Sequence, residues 1–292
     1  MTAGSHGSGY SLGPIPTWFR FRHLLTATLA LVAGTILLGI AAKATGSGLA
    51  CQAQWPQCDA GPFNLFPASV PSFYEWIHRF VAMFAGFGIV GSALAGWRLP
   101  SVDRRVAGLV AAGALLTPIQ VYLGRATVLQ YQLEILSLHF WTAVLIFSLF
   151  VVATVLVWKS AFTASTVTGA LALGLAALPL HVALSPTDIG VVTNYSPTMQ
   201  LLQYAVTLAL LASVIVAAMV GRWRLADRRL VALLVGSGVV AFAVAYLGRR
   251  AVMTFSPALE QLYLALAAVL FVAFVAGILG NRSVTARRNT GS

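Results

Sequence analysis

The sequence predicts an all-α membrane protein of eight transmembrane helices, arranged as two tandem four-helix bundles related by a pseudo-two-fold axis along the membrane normal. Three observations predict it: an apolar composition, eight apolar runs of spanning length, and an internal repeat. Of the 292 residues, 59% are hydrophobic and 9% charged, against about 25% charged in an ordinary soluble domain. The apolar runs reach the roughly 20 residues needed to cross a hydrocarbon core. A net charge of +11 would suit a nucleic-acid partner. Here the basic residues sit in short loops between apolar runs, a pattern that reports orientation in a bilayer.

Residues 1–20 read as a disordered cytoplasmic tail, because they begin with Gly, Ser and Pro and lack the charged and apolar regions of a secretory signal. The spans follow at about 22–43, 74–97, 105–124, 137–158, 163–185, 198–220, 229–247 and 258–280. The first four form a bundle over 21–160 and the last four a bundle over 161–281, with a second tail at 282–292. Trp97-Arg98, Trp158-Lys159 and Trp223-Arg224 supply aromatic and basic anchors at one interface. Sorted by side, 13 of the Lys and Arg residues fall with these anchors and 5 fall opposite. The rich side is expected to be cytoplasmic, which puts both termini inside and the 44–73 loop outside a plasma membrane.

The repeat sets the halves in register. Tyr122-Leu123-Gly124-Arg125 recurs as Tyr246-Leu247-Gly248-Arg249, and the loop Trp97-Arg98-Leu99…Asp103-Arg104-Arg105 recurs as Trp223-Arg224-Leu225…Asp227-Arg228-Arg229. Both halves enter from the same side, so an axis along the membrane normal relates them.

Ionisable residues inside a membrane are rare and usually functional. His78 begins the second span and His139 the fourth, both at a shallow depth on the outer side. Those two helices run the same way and can face each other across a bundle core, where two imidazoles can hold a haem iron from both faces. The competing reading is two histidines satisfied by backbone carbonyls or interfacial water. Glu75 precedes His78 by three residues and shares its face. It is either an acid or base beside the haem edge or an interfacial carboxylate paired with Arg79 or Arg125. Arg79 and Arg125 are candidate partners for haem propionates, through a planar fork that suits carboxylates, or else snorkelling side chains. Cys51 and Cys58, the only cysteines, lie together in the outer loop. A disulfide there competes with two free thiols, and the oxidising side favours the bond.

The second half departs from this pattern. Gln200 stands at the position of Glu75, Gln203 at that of His78, and Tyr263 at that of His139. Gln is a poor haem ligand and Tyr binds iron only when deprotonated. His181, after Pro179 in the fifth span, is a lone axial ligand or a hydrogen-bonded core histidine, and the absence of a second histidine in that half favours the core.

Thr45-Gly46-Ser47-Gly48-Leu49-Ala50-Cys51, Trp55-Pro56-Gln57-Cys58, Glu75-Trp76-Ile77-His78-Arg79, and Gln120…Leu123-Gly124…Thr127-Val128 followed by His139 resemble the haem A synthase family. The resemblance is strong over residues 25–147 and weak beyond them. It implies an oxidoreductase that converts haem O to haem A for cytochrome oxidase assembly. A ring methyl is hydroxylated successively and the gem-diol loses water. The resemblance also implies that His78 and His139 hold the substrate haem, that Glu75 is needed for activity, and that Cys51 and Cys58 form an outer-face disulfide. Family members hold a haem b between two histidines in the second half, where this chain has Gln203 and Tyr263, so haem b is doubtful here. Implied partners are a haem O synthase, terminal oxidase subunits and an electron donor that the sequence does not name. The rival reading is a membrane haem carrier or assembly factor without catalysis. A cytochrome-b-like electron carrier is disfavoured, because both ligands lie on one side. A transporter is disfavoured, because no paired broken helices appear at the midplane.

Overall fold

In a computed structural model, residues 20–51, 54–56, 58, 66–188 and 194–290 are described, with side chains through 282. The expected N-terminal tail lies outside the described residues apart from Arg20. Among the described residues the chain is entirely helical: α1 Phe21–Ala44, α2 Ser47–Ala50, α3 Phe73–Arg98, α4 Arg104–Leu129, α5 Leu133–Val157, α6 Ala164–Ala183, α7 Pro197–Arg224, α8 Arg228–Thr254 and α9 Pro257–Thr290, with one 3-10 turn at Lys159–Ala161. Eight helices, all but the short α2, are long and apolar enough to cross a membrane. This is a multi-pass membrane protein.

Local chemistry sets the helix starts. Asp103 caps α4 by accepting from the Arg105 amide, and Asp227 caps α8 by accepting from the Arg229 and Leu230 amides. The repeated loop therefore begins the same helix in each half with the same side chain, each cap contributing about 1 kcal/mol. Ser196 accepts from the Met199 amide, and Pro197 occupies the first turn of α7, where its missing amide costs nothing. Two ends differ from expectation. α5 begins at Leu133 rather than near 137, because Leu133, Ile135 and Leu136 continue the apolar run of the span. α9 continues to Thr290 instead of giving way to a tail at 282, since no Pro or Gly interrupts residues 281–290.

α1 packs on α3 and α5, and α4 packs on α3 and α5, so α3 and α5 lie across from each other. In the same way α6 packs on α7 and α9, and α8 on α7 and α9, which sets α7 across from α9. The two rings meet where α7 rests on α1 and α5. Its repeat counterpart α3 makes at most marginal contact with α6 or α9, so the contact between the rings is not two-fold symmetric. The reason is local. Tyr204 of α7 meets Phe140 of α5 edge to face, with centroids 5.2 Å apart. The residue at the matching place on α3 is Arg79, and its guanidinium is turned away to a carboxylate and to loop carbonyls.

The helices share one apolar core running from Leu25 and Val32 through Phe147 and Phe150 to Leu211, Leu234 and Phe274. The seam between α1, α5 and α7 leaves a groove of about 420 Å³ lined by Leu29, Leu37, Phe147, Val151, Leu208 and Val216 among others. Its wall is almost wholly apolar, and it holds none of the candidate site residues.

Candidate functional site

His78 is the sixth residue of α3 and His139 the seventh of α5, so the two imidazoles sit at matched depth on helices that face each other. Each ring rests on a glycine of the neighbouring antiparallel helix. A Cβ on Gly39 of α1 would stand 2.9 Å from His78 Cε1, and a Cβ on Gly124 of α4 would stand 3.0 Å from His139 Cε1. Any side chain at either glycine would push its ring out of place.

Hydrogen bonds orient the rings. His78 Nδ1 lies 2.9 Å from the Thr35 carbonyl oxygen. A carbonyl only accepts, so Nδ1 carries the hydrogen and Nε2 keeps its lone pair. A backbone carbonyl on Nδ1 is the arrangement that orients a metal-binding imidazole. His139 is held less tightly: Gln120 Nε2 lies 3.5 Å from its Nε2, and its Nδ1 is buried without a hydrogen-bond partner. Each ring thus has one nitrogen engaged: Nδ1 in His78 and Nε2 in His139. Both rings are half-buried.

Glu75 is 9% exposed. Its Oε1 accepts from Arg79 Nε at 2.9 Å, and its backbone amide donates to Ser47 Oγ at 2.9 Å. A Cβ on Gly48 would meet Oε2 at 3.5 Å, so α2 roofs the carboxylate. Of the two readings of Glu75, the pairing with Arg79 is present. Arg79 also donates from Nη1 to the carbonyls of Gln54 and Pro56 at 3.0 and 3.1 Å. Its Nε and Nη1 thereby tie the cysteine loop to α3. Arg125 is exposed near the end of α4. Cys51 and Cys58 form a disulfide with alpha carbons 4.6 Å apart, and both are buried. Free thiols are therefore excluded for this loop.

The second ring repeats the scaffold without the ligands. Gln203 Nε2 donates to the His181 carbonyl at 3.4 Å, as His78 Nδ1 does to Thr35. His181 of α6 is therefore the counterpart of Thr35 of α1, a correspondence in the first helix of each half that sequence comparison missed. Tyr263 rests on Gly248, whose Cβ would stand 2.9 Å from Tyr263 Cε2, as His139 rests on Gly124. His181 Nδ1 lies 2.9 Å from Thr207 Oγ1, and that hydroxyl donates to the Gln203 carbonyl at 2.7 Å. The His181 ring meets Tyr263 edge to face at 5.8 Å. His181 is thus a hydrogen-bonded core histidine. Tyr195, outside the spans, donates to Gln203 Oε1, and burial raises its hydroxyl pKa well above the ordinary tyrosine value, so it stays a donor. Arg249, which sequence reading left without a role, lies 4.3 Å over the Phe140 ring and donates to the Tyr204 hydroxyl at 2.5 Å. Its recurrence in the repeated Tyr-Leu-Gly-Arg was the available signal.

No family model matches the chain. No solved structure matches it either. Among curated proteins it is 30% identical over 118 residues to a haem A synthase of Bacillus licheniformis, spanning 40% of this chain and 38% of that protein. It is 28% identical over 145 residues to a haem A synthase of Bacillus pumilus, spanning 49% and 46%. It is also 32% identical over 133 residues to a protohaem IX farnesyltransferase of Haloarcula marismortui, spanning 46% of this chain and 28% of that protein. The chain matches less than half the length of each of these relatives. The chain is thus similar, over part of its length, to proteins named as haem A synthases and as a protohaem IX farnesyltransferase.

Proposed function

We propose that the chain is a haem A synthase, an oxidoreductase that holds haem O between His78 and His139 and oxidises one ring methyl to a formyl group. The observation that carries the reading is the placement of His78 on α3 and His139 on α5 at matched depth across one ring of helices, with His78 Nδ1 bonded to the Thr35 carbonyl so that Nε2 keeps its lone pair. The names of the similar proteins support the substrate class. The iron of the bound haem supplies the oxidising chemistry. The chain supplies position and protons. Thr35 and Gln120 orient the two rings. Gly39 and Gly124 let those rings lie close against α1 and α4. Glu75 is the proton-handling group: Arg79 holds Oε1, which leaves Oε2 under Gly48 to take or return a proton beside the porphyrin edge.

The excess of Lys and Arg at the end opposite the disulfide supports an orientation with both termini cytoplasmic and the histidine pair toward the outer face of the plasma membrane. Partners on this reading are haem O and haem A, a haem O synthase that delivers the substrate, oxidase subunits that receive the product, and an electron donor. The other reading is a carrier that holds haem without oxidising it, and the lack of a histidine pair in the second ring favours it.

Haem extraction and chromatography from protein co-expressed with a haem O source test both readings. Haem A or its hydroxylated precursor in the wild type, absent from His78→Ala and His139→Ala, is the expected result. Bound haem O with no oxidised product would replace the synthase with the carrier.

A further inference from the structure

We infer that the second ring, α6 to α9, is closed to haem because the chain fills the ligand position with its own side chains, so that the protein takes one haem and not two. The count in the first ring rests on the proposed function; the closure of the second does not.

Exposure separates the two rings. His78 and His139 are half-buried. Gln203 is 5% exposed and Tyr263 0%. The space left among Phe140, His181, Tyr195, Gln203, Tyr204 and their neighbours is about 10 Å³. Cofactor pockets measure about 300–1,000 Å³, whereas about 10–15 Å³ is the room of a single water. Three groups take the volume. Tyr263 stands on Gly248 where an imidazole would stand. Gln203 is held from both ends, by Tyr195 and by the His181 carbonyl. Phe140 enters from α5 of the other ring and is clamped by Tyr204 and Arg249.

The donor set leads to the same conclusion. The hydroxyl hydrogen of Thr207 goes to the Gln203 carbonyl, so His181 Nδ1 must donate to Thr207, and His181 Nε2 keeps a lone pair. That nitrogen is buried without a hydrogen-bond partner among the described residues. It is chemically fit to bind iron. What prevents binding is the Tyr263 ring against it and the lack of room for a porphyrin plane.

The test uses the full chain in detergent micelles or nanodiscs, loaded with excess haemin and freed of loose pigment by gel filtration. Haem per chain is read by pyridine haemochromogen absorbance against amino-acid analysis, for the wild type and for a His78→Ala/His139→Ala variant. One haem in the wild type and none in the variant is expected. Two in the wild type, or one retained by the variant, would overturn the closure. None in the wild type would leave the second ring closed and would instead sink the proposed site in the first. The wild-type count needs no substitution, so a variant that fails to fold does not block the test.

Discussion

Gln203 stands in the second ring where His78 stands in the first: each side chain donates to a backbone carbonyl of the neighbouring helix, His78 to Thr35 at 2.9 Å and Gln203 to His181 at 3.4 Å. The scaffold was kept while its chemistry changed. In the first ring the bond leaves Nε2 of His78 with its lone pair. In the second it ties an amide into a closed network.

The glycine seats give the first prediction. Gly39→Ala and Gly124→Ala place a methyl about 3 Å from an imidazole carbon, closer than carbon atoms approach without repulsion. Both variants should fold, lose most of the low-spin haem spectrum, and drop haem occupancy about tenfold. Gly34, with nothing near its missing Cβ, is the control. Gly34→Ala should bind normally and be more stable by about 0.4–1 kcal/mol. Absorbance spectra of the three purified variants decide it.

The Glu75–Arg79 pair separates chemistry from anchoring. Glu75→Gln keeps the volume and a hydrogen-bond acceptor for Arg79, so the protein should stay folded and haem-bound while formyl product disappears. Arg79→Met removes donors to one carboxylate and two carbonyls. It should lower stability by about 1–2 kcal/mol, from the loss of one part-buried and two exposed hydrogen bonds. Product analysis and thermal unfolding of the two variants check this, and equal product loss with equal destabilisation would refute the separation.

The disulfide closes a short loop, for which about 2–3 kcal/mol of stabilisation follows from chain entropy. Cys51→Ser/Cys58→Ser should unfold at lower temperature. Before reduction, no thiol of the wild type should take an alkylating reagent, and after reduction two should. Mass spectrometry reads both.

The seam offers a measurable coupling. Arg249 over the Phe140 ring is a desolvated cation–π contact of about 1–2 kcal/mol. A double-mutant cycle of Arg249→Met with Phe140→Leu should return that coupling. A coupling near zero would show that Arg249 is held by Tyr204 alone.

Much of this was legible in the chain. Eight apolar runs fixed the number of spans, since length and polarity leave a membrane helix little freedom. The matched histidines could be placed across one bundle from depth and direction. Other features were not legible. The Thr35 and His181 correspondence acts through backbone carbonyls, so side-chain comparison of α1 and α6 shows nothing. Gly124 and Gly248 were visible as a repeat, but their use as ring seats appears only once the rings are placed. The bonds of Arg79 to Glu75 and to two carbonyls of the cysteine loop were not legible, because they depend on how that loop folds back on α3. The seam joins Phe140 to Arg249, residues from different halves that are not repeat counterparts, and no periodicity announces such a pair.

The sealed second ring has a mechanical consequence. Its Gln203 and Tyr263 are buried, whereas His78 and His139 are half-buried. The unliganded chain should therefore have one stiff half and one soft half. Amide hydrogen exchange should be slow along α7 and α9 from the outset, and should slow along α3 and α5 only when haem is added.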